Sequence, residues 1–318
     1  MNDLGIFLHF LSIATLIILT IIGIAVGQAL ISISALQAMD RQPQAAGSLQ
    51  RGLIIALALN ELGALASMVM IALLLLAPPF AFFSSLAQWA IVAAIGIPSC
   101  VIGLASALPV RQAFNAIARQ PFFAQKIINL MALCQTIIQT PIFFGLIIGG
   151  WFIRNQLPEV TSLTQSLKLL AAGLVFGLGS IGPTIGLSIF ASTACWAVGI
   201  NKTVFKSVFT FTLMSQALIE TPLLFTLILA PTISLLSVSA QDPVSVGITL
   251  FAAAFVMAFS TFHTSINSAR SARSACREIA YNPELYPSLS RVSLLGQAFI
   301  DTNVIYGLII AALLISWR

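Results

Sequence analysis

Eight times along this chain at least 25 consecutive residues pass with no more than one charged side chain: roughly 5–38, 52–77, 86–110, 127–153, 169–200, 207–236, 244–268 and 292–316. A helix needs about 20 apolar residues to cross a bilayer, so every stretch is long enough. Only 7% of the residues are charged and 59% are hydrophobic; soluble domains carry about 25% charged residues. These values exclude a water-soluble fold, a disordered chain, a basic nucleic-acid-binding protein and a disulfide scaffold. Cys100, Cys134, Cys195 and Cys276 show no CxxC spacing and lie in or beside apolar stretches. They read as reduced thiols packing like small hydrophobes. The chain reads as a polytopic membrane protein.

The breaks between the stretches alternate in kind. One kind is charged and turn-like: AMDRQPQAAGSLQR, AIARQPFFAQK, VGINKTVFK and REIAYNPELYPSLSR. The other is poor in basic residues: APPFAFFSS, IRNQLPEVTSLTQSLK and APTISLLSVSAQDP. This pattern predicts four helical hairpins. Orientation follows from Lys and Arg alone. Eleven of the fourteen sit at the first kind of break, while Arg154, Lys168 and Arg318 lie on the other side. The short hairpin loops are therefore expected in the cytoplasm, with both termini and all three linkers outside. The N-terminal stretch lacks a basic n-region and a small-residue cleavage site, so it reads as a first helix rather than a removed signal.

Three acids lie deep inside stretches: Glu61, Glu220 and Asp301. Their separations, 220 − 61 = 159 and 301 − 220 = 81, are close to two units and one unit of 80 residues. A fourfold repeat expects a partner near 139, and Gln139 stands there. The sequences QTIIQTPIFFGLII, QALIETPLLFTLIL and QAFIDTNVIYGLII around Gln139, Glu220 and Asp301 share that register. Twenty residues before Glu61 and Gln139 come Arg41-Gln42-Pro43 and Arg119-Gln120-Pro121. The equivalents are Ile200-Asn201-Lys202 and Tyr281-Asn282-Pro283. Small residues recur in the first helix of a hairpin, as Gly23, Ala25, Gly27 and Ala29, and again as Gly182, Thr184, Gly186 and Ser188. They permit close helix approach. The domains expected are hairpins 1–79, 80–157, 158–239 and 240–318. One slim and one bulky helix per hairpin can close into two concentric rings, slim helices inside.

An ionised acid at the bilayer centre costs about 2.5–3.5 kcal/mol, and no stretch offers Lys or Arg at the matching depth. Desolvation favours the neutral form. A carboxyl that rests neutral in lipid and ionises only beside an external cation is a reversible ion carrier.

The Arg-Gln-Pro loop, the glycine-spaced first helix and the carboxyl twenty residues after the Arg resemble the ring-forming c subunit, or proteolipid, of F-type rotary ATP synthases. The resemblance covers essentially the whole chain as four fused copies of one hairpin. It implies an all-α membrane protein whose eight transmembrane helices form part or all of a two-layered rotor ring. Glu61, Glu220 and Asp301 are then the ion-binding carboxyls, and Gln139 is the equivalent position that cannot ionise. The resemblance also implies several partners: an a subunit with a stator arginine, a central stalk, further copies of this chain or other c subunits, and lipid, in an energy-coupling membrane such as a bacterial inner membrane. Arg41, Gln42, Pro43, Arg119, Gln120 and Pro121 match the loop that contacts the stalk; hairpins 3 and 4 depart from it. No cofactor is implied, only a transported ion.

Family members that carry Na⁺ add a Gln 33 residues before the carboxyl, a hydroxyl one after and a Tyr five after. Gln28 supports Glu61 in that way, Thr221 follows Glu220, and Thr302 with Tyr306 follows Asp301. No hairpin has the full set, so protons are the expected cargo and Na⁺ the alternative. His263 reads as a packed or pore-facing histidine. Nothing resembles a nucleophilic triad, a phosphate loop or a metal cluster, so the chain is not expected to hydrolyse ATP itself. Two other classes share these features: a secondary transporter with fused repeats and a structural proteolipid that translocates nothing.

Overall fold

The computed structural model describes residues 2–76 and 81–317. Part of the first basic-poor break (77–80) and Arg318 lie outside the described residues. Among the described residues, eight helices are long and apolar enough to cross a membrane: α1 (Asp3–Arg41), α2 (Pro43–Leu76), α3 (Phe82–Arg119), α4 (Pro121–Glu159), α5 (Leu163–Ile200), α6 (Lys202–Leu235), α7 (Val244–Tyr281) and α8 (Pro283–Ser316). The chain is therefore an integral multi-pass membrane protein. At about 1.5 Å per residue, helices of 34 to 39 residues exceed a hydrocarbon core of about 30 Å. Polar turns thus extend beyond the apolar stretches. On α7 that extension carries Arg270, Arg273 and Arg277.

The four hairpin turns have one construction. A single residue leaves the helical region: Gln42 (φ −142°, ψ 78°), Gln120 (φ −136°, ψ 70°), Asn201 (φ −138°, ψ 103°) and Asn282 (φ −127°, ψ 78°). A 3₁₀ turn follows at Pro43–Ala45, Pro121–Phe123, Lys202–Val204 and Pro283–Leu285. Proline suits that first position because its amide hydrogen would go unused there. At Lys202, which lacks it, the Asn201 side chain accepts from the Thr203 amide (3.0 Å) instead.

The helices form two layers. In one, α1, α3, α5 and α7 pack in that order; in the other, α2, α4, α6 and α8 pack in that order. The first layer is the slim one. A Cβ on Gly103 of α3 would stand 2.6 Å from the Gly23 carbonyl carbon and the Ile24 nitrogen of α1. Gly182 of α5 meets the backbone of Phe262 on α7 in the same way. A row of hairpins packed more closely on one side curves towards that side, as a ring wall requires. Gly103→Val should therefore separate α1 from α3 and cost about 1–3 kcal/mol by overpacking. Thermal unfolding of the detergent-solubilised protein measures this; an unchanged midpoint would show that the close approach is not needed.

Apolar packing is divided in two along the helices. One cluster lies towards the hairpin turns, around Ile31, Phe114, Phe190 and Phe211. The other lies towards the linkers, around Leu16, Phe152 and Phe176. Buried polar side chains concentrate between them, including Asn60, Ser106, Gln135, Gln139, Thr184 and Gln216. Helices α6, α7 and α8 run unbroken from their turns, α6 through Pro222 and Pro231. The discontinuous helices of a transporter site are not found at Pro222.

Candidate ion-binding belt

The repeat places Glu61, Gln139, Glu220 and Asp301 at one level of α2, α4, α6 and α8. Their surroundings differ. Glu61 is exposed on α2, and the Gln28 amide of α1 donates to its Oε1 at 3.0 Å. Glu220 is half-buried, and the Thr140 side chain of hairpin 2 lies within hydrogen-bonding reach of its carboxyl. Asp301 is half-buried and neither of its carboxylate oxygens finds a partner among the described residues. Its side chain is one methylene shorter than Glu. Ser268, which stands where hairpin 1 has Gln28, is buried with its hydroxyl likewise unpartnered. Gln139 is completely buried and both atoms of its amide lack partners among the described residues.

The contact between Thr140 and Glu220 joins neighbouring hairpins. Here the hydroxyl that follows position 139 lies beside the carboxyl of the next hairpin. Thr140 also donates to the Ile137 carbonyl at 2.7 Å, and Thr302 repeats this with Phe299 at 2.7 Å. A hydroxyl so placed can accept from a protonated carboxyl, and by rotating can donate to an ionised one. It suits both states of a carrier. Thr221 donates instead to Ala217 at 3.0 Å, and Tyr306 is exposed on α8.

Two further registers run between hairpins. One turn before the carboxyl level, Cys134 of hairpin 2 lies beside Gln216 of hairpin 3, whose amide atoms have no hydrogen-bond partner among the described residues. One repeat later, the Gln297 amide of hairpin 4 donates to Ser215 Oγ of hairpin 3 at 3.3 Å. At the turns, Gln120 donates to the Gly199 carbonyl (3.0 Å) and Asn201 to the Ala280 carbonyl (3.3 Å). Gln120 is thus engaged between hairpins, as is Arg41, which donates to Asn115 Oδ1 of hairpin 2 at 3.0 Å; Pro43 and Arg119 are exposed. Gln42 and Pro121 are half-buried.

The first interface differs from the other two. Asn60 of hairpin 1 accepts from the Ser106 hydroxyl of hairpin 2 at 2.6 Å, and its own amide donates to the Ile24 carbonyl at 3.3 Å. The register places Leu62 against Gln139, where the next interface has Thr140 beside Glu220. Sequence reasoning missed Thr140, Leu62 and the glutamine row. The signal was available, since Gln135, Gln216 and Gln297 begin the three repeat sequences that fix the register.

Four tandem hairpins with a slim layer, a bulky layer and a recurring carboxyl level define a membrane proteolipid. The family of ATP synthase C subunits matches this chain twice in tandem, over residues 170–233 and 251–314. The ATP synthase c subunit of Dehalococcoides mccartyi is 42% identical over 64 residues, 20% of this chain and 84% of that protein. That of Chloroflexus aurantiacus is 36% identical over 66 residues, 21% of this chain and 87% of that protein. The chain belongs to the ATP synthase c-subunit family, as a tandem fusion of c-type hairpins.

Proposed function

We propose that this chain is a rotor-ring component of a rotary ATP synthase, carrying protons on Glu61, Glu220 and Asp301. The observation that carries this reading is the Glu220 carboxyl. It lies near the middle of α6, between two hairpins, with the Thr140 hydroxyl beside it and no Lys or Arg at its level among the described residues. Each carboxyl takes a proton from one half-channel, crosses the lipid neutral, and discharges beside a stator arginine on the a subunit. Moving one charge through 100 mV is worth about 2.3 kcal/mol, so several carriers per turn can sum to the synthesis of one ATP.

The turns face the cytoplasm in this reading, and the central stalk rests on them. Arg41, Gln42, Pro43, Arg119 and Pro121 offer that contact, joined by Phe122, which is fully exposed. A notch of about 650 Å³ lined by Arg119, Phe122, Asn201 and Lys202 lies between the turns of hairpins 2 and 3. It suits an acidic or aromatic side chain of the stalk.

Dicyclohexylcarbodiimide, which attacks protonated carboxyls in apolar surroundings, tests the reading. Adducts are expected on Glu61, Glu220 and Asp301, with loss of ion transport. Labelling should slow as pH rises, because only the protonated form reacts, and should ignore Na⁺. Label confined to Glu159, Glu278 and Glu284 would sink the carrier assignment. Strong protection by Na⁺ at fixed pH would replace the proton by Na⁺.

A further inference from the structure

We propose that the turn-side half of α7 binds an anionic phospholipid, its phosphate held by Arg270, Arg273 and Arg277 and one of its chains lying in an apolar pocket further along the same face. The inference goes beyond the rotor reading and does not depend on it. Along α7 the exposed side chains Phe255, Phe259, His263, Arg270 and Arg277 recur at spacings of 4 and 7 residues, which puts them on one stripe of the helix. The pocket, about 260 Å³, is lined by Leu178 and Ile181 of α5 with Phe255, Ala258, Phe259 and Phe262 of α7. Only α5 and α7 border it among the described residues, so the stripe faces away from the bulky layer.

The basic end of the stripe is particular to the fourth hairpin. Arg270, Arg273 and Arg277 stand where α5 has Ile189, Ser192 and Trp196 and α1 has Leu30, Ile33 and Gln37; α3 keeps one base there, Arg111. Like charges three and four residues apart on a helix repel. Here no ion pair with a carboxylate, Glu278 included, offsets that among the described residues. Arg270 Nη1 donates to Asn267 Oδ1 at 3.1 Å, and the Arg277 guanidinium lies over the Trp196 ring, 5.9 Å from its centre. Arg273 lies near Arg277, and its buried Nε has no partner among the described residues. The cluster lacks an anion.

A phosphate diester supplies one. Guanidinium groups bind phosphate oxygens through paired hydrogen bonds, and basic pockets between transmembrane helices hold anionic headgroups. The apolar pocket decides the source of the phosphate. The uncharged run of α7, 244–268, ends two residues before Arg270, which sets the arginines where the apolar face stops. Phe262 is eight residues from Arg270, about 12 Å along the axis. Half a hydrocarbon core is about 15 Å. A chain hanging from a headgroup at Arg270 therefore passes His263 and Asn267 and enters the pocket, which free phosphate would leave unfilled.

A photoreactive lipid tests the site in the protein purified with its native partners. The probe is phosphatidylglycerol with a diazirine midway along one chain, present as a minor lipid in phosphatidylcholine nanodiscs. Phosphatidylcholine carrying the same group is the comparison. Phosphatidylglycerol should label Phe255, Phe259 or Phe262 about tenfold more than phosphatidylcholine does, the factor expected of a charge-assisted hydrogen bond. Combining Arg270→Gln, Arg273→Gln and Arg277→Gln should bring the two lipids level, whereas Arg111→Gln should leave their ratio unchanged. Equal labelling by the two lipids in the unaltered protein would overturn the proposal, and that result needs no variant to fold. So would a ratio that survives loss of the three arginines. A preference present in the isolated chain but lost in the complex would give the arginines to an acidic segment of a neighbouring subunit, and would likewise overturn it.

Discussion

Replacing Glu220 with Gln should stop ion-driven ATP synthesis by the assembled complex, whereas Asp301→Asn should leave it running on fewer ions. Both changes are nearly isosteric and both remove one carrier of three. They differ in what they do to spacing. In a ring of this chain, Gln139 already leaves a gap of two hairpin steps between Glu61 and Glu220. Without Glu220 that gap widens to three, from Glu61 to Asp301. Without Asp301 the carriers Glu61 and Glu220 stand two steps apart all round, and the longest gap is unchanged. A stator arginine that must wait through a longer gap faces lipid without a carboxylate. An unpaired charge at the bilayer centre costs about 2.5–3.5 kcal/mol, or roughly a hundredfold in rate. Synthesis rates in proteoliposomes at equal imposed potential measure this. Equal loss in the two variants would show that carrier number, not spacing, limits rotation.

The sequence displayed the fold almost completely because the repeat constrains it at several places at once. Each hairpin turn has one non-helical Gln or Asn before a 3₁₀ turn, and those residues mark every unit. Close backbone approach needs Gly23 and Gly182, and their offsets repeat. The carboxyl level stands out because charge is otherwise absent there. The composition of each site was less legible. Counting ligands within a hairpin assigns Thr221 to Glu220, yet Thr140 is the hydroxyl in reach of that carboxyl. Nothing in a linear sequence says which neighbour a side chain meets; only the packing order of the layers does. For the same reason the place of Leu62 against Gln139 was not legible. Gln120 matched a stalk-contacting loop in sequence, while its amide bonds the neighbouring hairpin. Cys134, Cys195 and Cys276 are buried and free, as their apolar settings implied.

Restoring the fourth carrier should need two substitutions, Gln139→Glu and Leu62→Thr. Gln139 is fully buried, whereas Glu220 and Asp301 are half-buried, so Gln139→Glu alone puts a carboxyl where burial disfavours the ionised form. Such a group keeps its proton as it passes the stator, and the number of ions moved per ATP stays as it was. Leu62→Thr supplies the hydroxyl on the hairpin before, in the position Thr140 occupies towards Glu220. The pair should then raise the carriers from three to four per chain and the ion-to-ATP ratio by about a third, by the same carrier arithmetic that makes each charge worth about 2.3 kcal/mol per 100 mV. The ratio follows from the potential at which synthesis and hydrolysis balance, and carbodiimide mass mapping reports whether residue 139 has become reactive. A full rise in the single variant would show that the hydroxyl is not part of the site and that Leu62 only packs. No rise in an active double variant that reacts at 139 would mean that hairpin 2 is not a counted position of the rotor. The asymmetry of the first interface would then be a matter of packing, with Asn60 and Ser106 holding two hairpins together where the other interfaces hold a proton.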